Sequence, residues 1–285
     1  MAHGSIRIGE VHITALCDAA TRFPRPLAEA FPDVPLEMWE DLRARYPEAF
    51  TGEDGWLFHD HCYLVRTEGM TTLVDTGFGP SWTVAAQWAG VAGNLPAELA
   101  EAGVSPMDLT HVLITHLHLD HIGWTVSGPD DGTPTFPNAR YLIGRGDWEG
   151  FRELGDEDDR AAFDQQAQPL AEAGVLDLVD GERRLAEGLT VVPTPGHTPG
   201  HQSLLVEAGD RTALLSGDLT NHPVQATEPQ WRSSGDQDPP LAAWTRRQWL
   251  DRLESAGAML CTAHYAHPFV SFVREQGRRF VAPAV

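Results

Sequence analysis

The feature that most constrains this 285-residue chain is a set of four metal-ligand side chains packed into six residues behind a short apolar strand. After His111-Val112-Leu113-Ile114-Thr115 the chain reads His116-Leu117-His118-Leu119-Asp120-His121-Ile122-Gly123. HVLIT is the short β-branched run expected of a buried strand. His116 and His118, two residues apart, point the same way while the backbone stays extended. Asp120 and His121 diverge once it turns, so one loop can serve two metal ions. Imidazole together with carboxylate suits zinc and its first-row neighbours, and a donor set without cysteine suits a hydrolytic site.

Three further candidate ligands stand at the ends of strand-like runs, where a rigid site needs them. His197 lies in Thr194-Pro195-Gly196-His197-Thr198-Pro199-Gly200-His201, whose prolines and glycines fix a tight loop. Asp218 follows Ala213-Leu214-Leu215-Ser216-Gly217, and His264 follows Met259-Leu260-Cys261-Thr262-Ala263. Around them, apolar alternation predicts an opening strand over Ile6–Leu16 and a hairpin of Leu57–Arg66 with Met70–Val74, ending in Asp75-Thr76-Gly77. Helices are expected at Leu36–Arg45, Ser81–Trp88, Pro96–Ala102, Asp147–Ala173 and Leu241–Ser255. Further strands are expected at Ala139–Ile143, Val175–Val179, Leu189–Val192, His201–Glu207, Thr212–Leu215 and Ala258–Thr262. Hairpins without a regular βαβ rhythm point to sheets flanked by helices, not a doubly wound parallel fold. No composition shift marks a boundary, so one domain over 1–285 is expected.

These motifs resemble the signature of the metallo-β-lactamase fold superfamily, H-x-H-x-D-H followed by three later ligands, with Leu73–Gly77 (LVDTG) matching as well. The resemblance implies an α+β fold, an αββα sandwich of two mixed β-sheets flanked by helices. It implies that His116, His118 and His197 hold a first metal, that Asp120, His121 and His264 hold a second, and that Asp218 bridges both. The implied cofactor is two Zn2+, with other first-row divalent metals open. True β-lactamases lack the bridging aspartate, so Asp218 places the chain nearer the lactonases and glyoxalase-II-like thioesterases. The mono-iron persulfide dioxygenases share the motif with fewer ligands at the metal. Asp75 resembles the family's carboxylate that orients a metal-binding loop, although capping a turn would also explain it.

The implied activity is hydrolysis of a lactone or ester, with a phosphotriester as an extension. A thioesterase and a mono-iron oxygenase are the alternatives. Two cations sharing a carboxylate lower the pKa of a bridging water towards about 7, so the hydroxide needs no strong base. Asp120 can relay its proton to the leaving group. In acyl-homoserine lactonases a tyrosine three residues past the bridging aspartate binds the substrate carbonyl; that place is Asn221 here. His222, beside it, and Tyr265, next to His264, complete the candidate catalytic set with Asp120. His201 reads as structural. Gly217–Trp231 (GDLTNHPVQATEPQW), Thr245-Arg246-Arg247 and the final AHYAHP resemble the branch containing methyl-parathion-type phosphotriesterases and broad lactonases.

Composition narrows the partners. The 20 basic residues are all arginine, which excludes Schiff-base, P-loop and Ser-Lys chemistry. A net charge of −21, with no basic run longer than Arg-Arg, argues against nucleic acid and an anionic membrane. The expected partner is a small substrate, neutral and partly apolar, because Trp56, Phe58, Trp124, Trp148 and Trp231 fall on or beside loops. A homodimer stays open. Cys17, Cys62 and Cys261 form no C-x-x-C pair, and MAHGSIRIGE has no apolar core of the signal-peptide kind, so a cytoplasmic place is expected.

Overall fold

The computed structural model describes residues 4–129 and 132–284, in which two β-sheets face each other and carry helices on their outer sides. Eight strands come first: β1 (Ser5–Ile8), β2 (Val11–Arg22), β3 (Phe50–Thr51), β4 (Gly55–Thr67), β5 (Met70–Val74), β6 (His111–Leu113), β7 (Arg140–Gly144) and β8 (Leu176–Val179). They form one sheet in the order β1-β2-β4-β5-β6-β7-β8, with β3 on β4. Seven follow: β9 (Arg183–Ala186), β10 (Leu189–Pro193), β11 (Gln202–Ala208), β12 (Arg211–Leu215), β13 (Met259–Cys261), β14 (Phe269–Glu275) and β15 (Arg278–Pro283). They form the second sheet, in the order β15-β14-β13-β12-β11-β10-β9. Both sheets are mixed: β5 to β8 pair in parallel, as do β12 and β13, and the other pairs are antiparallel. The expected α+β sandwich is what the chain adopts.

Period-two alternation sorts the apolar side chains into two cores. Leu113, Leu142, Leu204, Val206 and Leu215 fill the layer between the sheets. Their strand neighbours Val112, Ile143, Leu205 and Leu214 face outward and pack under helices. A strand covered on both faces must be apolar throughout, which is why HVL and ALL read as continuous runs. The helices are α1 (Leu27–Ala30), α2 (Met38–Arg45), α3 (Val84–Ala89), α4 (Leu95–Glu101), α5 (Arg145–Leu154), α6 (Glu157–Ala162), α7 (Gln168–Glu172), α8 (Pro223–Thr227) and α9 (Pro239–Ser255). Among the described residues no helix is long and apolar enough to cross a membrane.

Two expectations need correction. Ile6–Leu16 is not one strand, because Gly9, at φ +56°, turns the chain between β1 and β2. Asp147–Ala173 is not one helix either. Asp156 accepts from the Asp159 N–H and starts α6 afresh, and a π-turn over Phe163–Ala167 precedes Pro169, whose nitrogen cannot donate. The β14–β15 hairpin and β9 were not anticipated.

Candidate metal centre

The candidate ligands converge because of strand direction. β5 and β6 are parallel neighbours, β12 and β13 likewise, and β10 runs with β12 across the intervening antiparallel β11. Their carboxyl ends therefore open on one edge of the sandwich. The turn after β6 carries residues 116–121, and His197 follows β10. Asp218 follows β12 in the short turn Gly217–Leu219, and His264 follows β13. Gly217 lies at φ +48°, and a Cβ there would be 2.6 Å from Thr115 Oγ1. Glycine thus lets the Asp218 turn pack directly on the loop that begins at His116.

Two groups of donors result. One ligand atom from each of His116, His118, His197 and Asp218 lies within 4.8 Å of the others, and the same holds for Asp120, His121 and His264. Asp218 stands between the groups. Its Oδ2 is 3.2 Å from His197 Nε2 and 3.8 Å from His116 Nε2. Its Oδ1 is 2.8 Å from His264 Nε2 and 3.3 Å from His121 Nε2. Asp120 Oδ2 faces His121 and His264 at 3.7 and 3.8 Å.

Hydrogen bonds behind the rings fix their tautomers. Apart from His118, each imidazole's outer nitrogen meets an acceptor: His121 Nδ1 meets Asp75 Oδ2 at 2.9 Å, His197 Nδ1 meets Asp236 Oδ1 at 2.9 Å, and His264 Nδ1 meets the His59 carbonyl at 2.8 Å. Thr115 donates its hydroxyl to Asp75 Oδ2, so its oxygen accepts from His116 Nδ1 at 3.1 Å. With the Nδ1 proton committed outward, each Nε2 turns a lone pair to the centre. His116 Nε2 and His197 Nε2 then both confront His118 Nδ1, at 3.0 and 2.9 Å, and one proton cannot satisfy both contacts. His121 Nε2, His264 Nε2 and Asp218 Oδ1 are buried without a hydrogen-bond partner. Converging lone pairs and carboxylate oxygens at the floor of a cleft are the donor set of a cation, and the residues fit a zinc-type ion.

The charges agree. Burial pushes His116 and His118 well below the usual imidazole range, and neighbouring imidazoles add to it. Burial opposes charge on His197 too, but Asp218 and Asp236 outweigh it and raise the group to about 9. Burial also opposes charge on His121, where Asp75, Asp218 and Asp120 win. Asp218 is held well below the carboxylate range, burial notwithstanding, by His264 and His121.

A cleft opens over the centre. Phe23, Trp56, Phe58 and Trp88 form an aromatic wall, Asp156, Asp158 and Asp159 line another side, and Ser233–Gly235 lie beside His197. Asp120 and Asn221 line it, and Asn221 Nδ2 donates to Asp218 Oδ2 at 2.5 Å. Asp159 Oδ2 comes within 3.9 Å of His118 Nε2, and burial with Asp156 and Asp120 lifts its carboxyl to about 7.

The other two residues of the expected catalytic set do not line this cleft. His222 is wholly buried among Phe31, Trp39, Phe50 and Trp56, where burial lowers its pKa to about 3, and its Nδ1 accepts from the Val224 N–H. The Tyr265 hydroxyl donates to the His222 carbonyl, and its ring lines a separate small cavity beside β15. Trp124 donates to the buried Asp18, and Trp148 packs on Phe163, so neither indole lines the cleft. His201 accepts from the Asp218 N–H and bonds Thr194, a structural role. Asp236, Asp159, Phe23 and Trp88 went unrecognised in the sequence. No spacing signal announces them, because each reaches the site from a loop or helix far along the chain.

Residues 56–264 match the family model described as Metallo-beta-lactamase superfamily. An N-acyl homoserine lactonase of Bacillus sp. is 30% identical over 166 residues, covering 51% of this chain and 57% of that protein. A probable metallo-hydrolase of Mycobacterium tuberculosis is 28% identical over 188 residues, covering 57% of each. The chain thus spans little more than half the length of these curated relatives. Among solved structures, AidC, a dizinc quorum-quenching lactonase in complex with a product, superposes with a TM-score of 0.84 at 22% identity, over 100% of this chain and 98% of that one. The hydrolase AbOPH superposes at 0.81 with 23% identity, over 99% and 97%.

Proposed function

The chain belongs to the metallo-β-lactamase superfamily, and on that premise we propose that it is a dizinc hydrolase that opens a neutral, partly apolar lactone or ester. The observation that carries the reading is the division of Asp218, one oxygen turned to His116 and His197 and the other to His121 and His264. A carboxylate so divided suits two cations, the first held by His116, His118 and His197 and the second by Asp120, His121 and His264. When bound, such ions supply the charge that polarises a carbonyl and acidifies water near neutral pH.

The chain's own residues do the rest. Phe23, Trp56, Phe58 and Trp88 bury the apolar part of a substrate and keep water from it. Asp156 and Asp158, also lining the cleft, repel anionic substrates. Asp120, at the base of the cleft, takes a proton from an attacking water and returns it to the departing alkoxide. Asn221 holds Asp218 through its amide and occupies the place where acyl-homoserine lactonases carry a tyrosine.

The test is a screen of γ- and δ-lactones, aryl esters, phosphotriesters and thioesters on protein of measured metal content. Turnover of a neutral lactone or ester that chelation abolishes and zinc restores supports the reading, as does its loss in Asp218→Ala. Turnover untouched by chelation overturns it, and so does iron with oxygen consumption.

A further inference from the structure

The carboxylate behind His197 belongs to a buried network that no sequence motif marks. Asp236 accepts from His197 Nδ1 through Oδ1, and through Oδ2 it accepts from the Ser233 N–H at 3.0 Å and from Arg246 at 3.1 Å. Arg246, in the first half of α9, is 1% exposed. Its Nε donates to the Leu219 carbonyl at 2.7 Å, and a terminal nitrogen donates to the carbonyls of Pro229 and Trp231 at 2.9 and 3.1 Å. One guanidinium therefore ties together the turn that carries Asp218, the residue behind His197, and the segment 229–236. That segment is also stitched to the His197 loop, because Gln237 donates to the His197 carbonyl and Asp238 to that of Gly196, both at 2.9 Å. Its middle, Ser233–Gly235, is cleft wall.

We propose that Asp236 and Arg246 are positioning residues that aim His197 at the metal and couple metal capture to the order of the cleft wall over residues 229–238. The inference rests on the reading of the centre as a metal site. Three donors converge on the two oxygens of Asp236: an imidazole, a backbone N–H and a guanidinium. If stability were the only role, apolar side chains of similar volume would serve as well as a buried ion pair. What an apolar pair cannot do is hold the His197 proton on Nδ1, which leaves Nε2 free as a donor to metal. Arg246 in turn fixes Asp236, its terminal nitrogen reaching Oδ2 at 3.1 Å and Oδ1 at 3.4 Å. By linkage, a contact that favours metal at His197 must itself be favoured by metal, so filling the site orders the wall that substrate meets.

The experiment compares Zn2+ affinity, by competition with a chromophoric chelator, in the full chain and in Asp236→Asn. It adds the visible spectrum of the Co2+-loaded forms. Asparagine offers one acceptor oxygen to three donors, so affinity is expected to fall roughly 10–100-fold and the cobalt bands to shift. Leu250→Ala, which opens a cavity under α9 without removing a donor to Asp236, should lower the melting temperature and leave affinity and cobalt spectrum as they were. In the unmodified protein, amide exchange over residues 233–237 should slow on adding Zn2+, a readout that stands even where Asp236→Asn fails to fold. Zinc binding with an unchanged affinity and spectrum in Asp236→Asn, or exchange over 233–237 indifferent to zinc, overturns the proposal alone. An unmodified chain that takes up no zinc overturns the metal reading and this proposal with it.

Discussion

Replacing Asp75 by asparagine isolates the electrostatics of ligand orientation from its geometry. Asp75 is buried at the end of β5 with φ +60°, a backbone state that asparagine adopts as readily as aspartate. Its Oδ1 accepts from the Thr115 N–H at 2.7 Å, and its Oδ2 accepts from the Thr115 hydroxyl and from His121 Nδ1, both at 2.9 Å. The Thr115 N–H is fixed by the backbone, so the amide oxygen of the Asp75→Asn side chain must stay there. The amide nitrogen then faces His121 and requires its Nδ1 to accept. The imidazole proton moves to Nε2, the atom 3.3 Å from Asp218 Oδ1 and pointed at the centre. Metal binding has to reverse that tautomer, at a cost on the order of 1.4–2.7 kcal/mol, or 10–100-fold in zinc affinity. In the metal-free chain the displaced proton finds Asp218 Oδ1, so folding should lose less than about 2 kcal/mol. Chelator competition reads the first quantity, and urea unfolding of stripped protein reads the second. Zinc affinity within threefold of the unmodified chain, or collapse of the stripped protein with affinity intact, would refute this reasoning.

Other perturbations separate the remaining parts of the account. In stripped protein, burial opposes charge on His197, yet Asp218 and Asp236 raise it from 6.5 to about 9. Its contribution is therefore complete below pH 6.5 and lost as pH rises through 9, by at most about 3 kcal/mol; a flat urea midpoint between pH 6 and 10 contradicts this. Trp88→Ala, which opens the aromatic wall, should raise KM for long apolar esters about tenfold, corresponding to 1–2 kcal/mol of lost burial, with kcat within twofold. Equal KM values for long and short acyl chains would remove that wall from the substrate path. In Gly123→Ala a Cβ would sit 2.1 Å from the Phe78 carbonyl carbon and 2.2 Å from the Gly79 nitrogen. The loop must shift, and a loss of more than about 3 kcal/mol is expected; an unchanged melting temperature argues against the packing described.

What the sequence made legible follows the physics of each part. His116–His121 announced themselves because a metal loop concentrates donors within a few residues, and His197, Asp218 and His264 because apolar runs end just before them. The strands covered on both faces, such as Leu204–Val206, were legible as unbroken apolar stretches. The β14–β15 hairpin was not, since Arg274, Arg278 and Arg279 on it pair with carboxylates such as Glu254 and Glu228, so its sequence lacks a clean apolar pattern. Tyr265 and His222 stand next to site residues in sequence, but His222 is buried among aromatic rings and Tyr265 bonds its carbonyl from beside a separate cavity. Asp236 and Arg246 act across distances of 39 and 27 residues, on His197 and the Leu219 carbonyl respectively. Only the folded chain brings them there.

The central claim is that Asp218 stands between two cations. Anomalous diffraction at the zinc edge, from crystals of zinc-loaded protein, tests it most directly. The account predicts two peaks, one among His116, His118 and His197 and the other among Asp120, His121 and His264, with an oxygen of Asp218 on each. A single peak, or none at either group of donors, would contradict it.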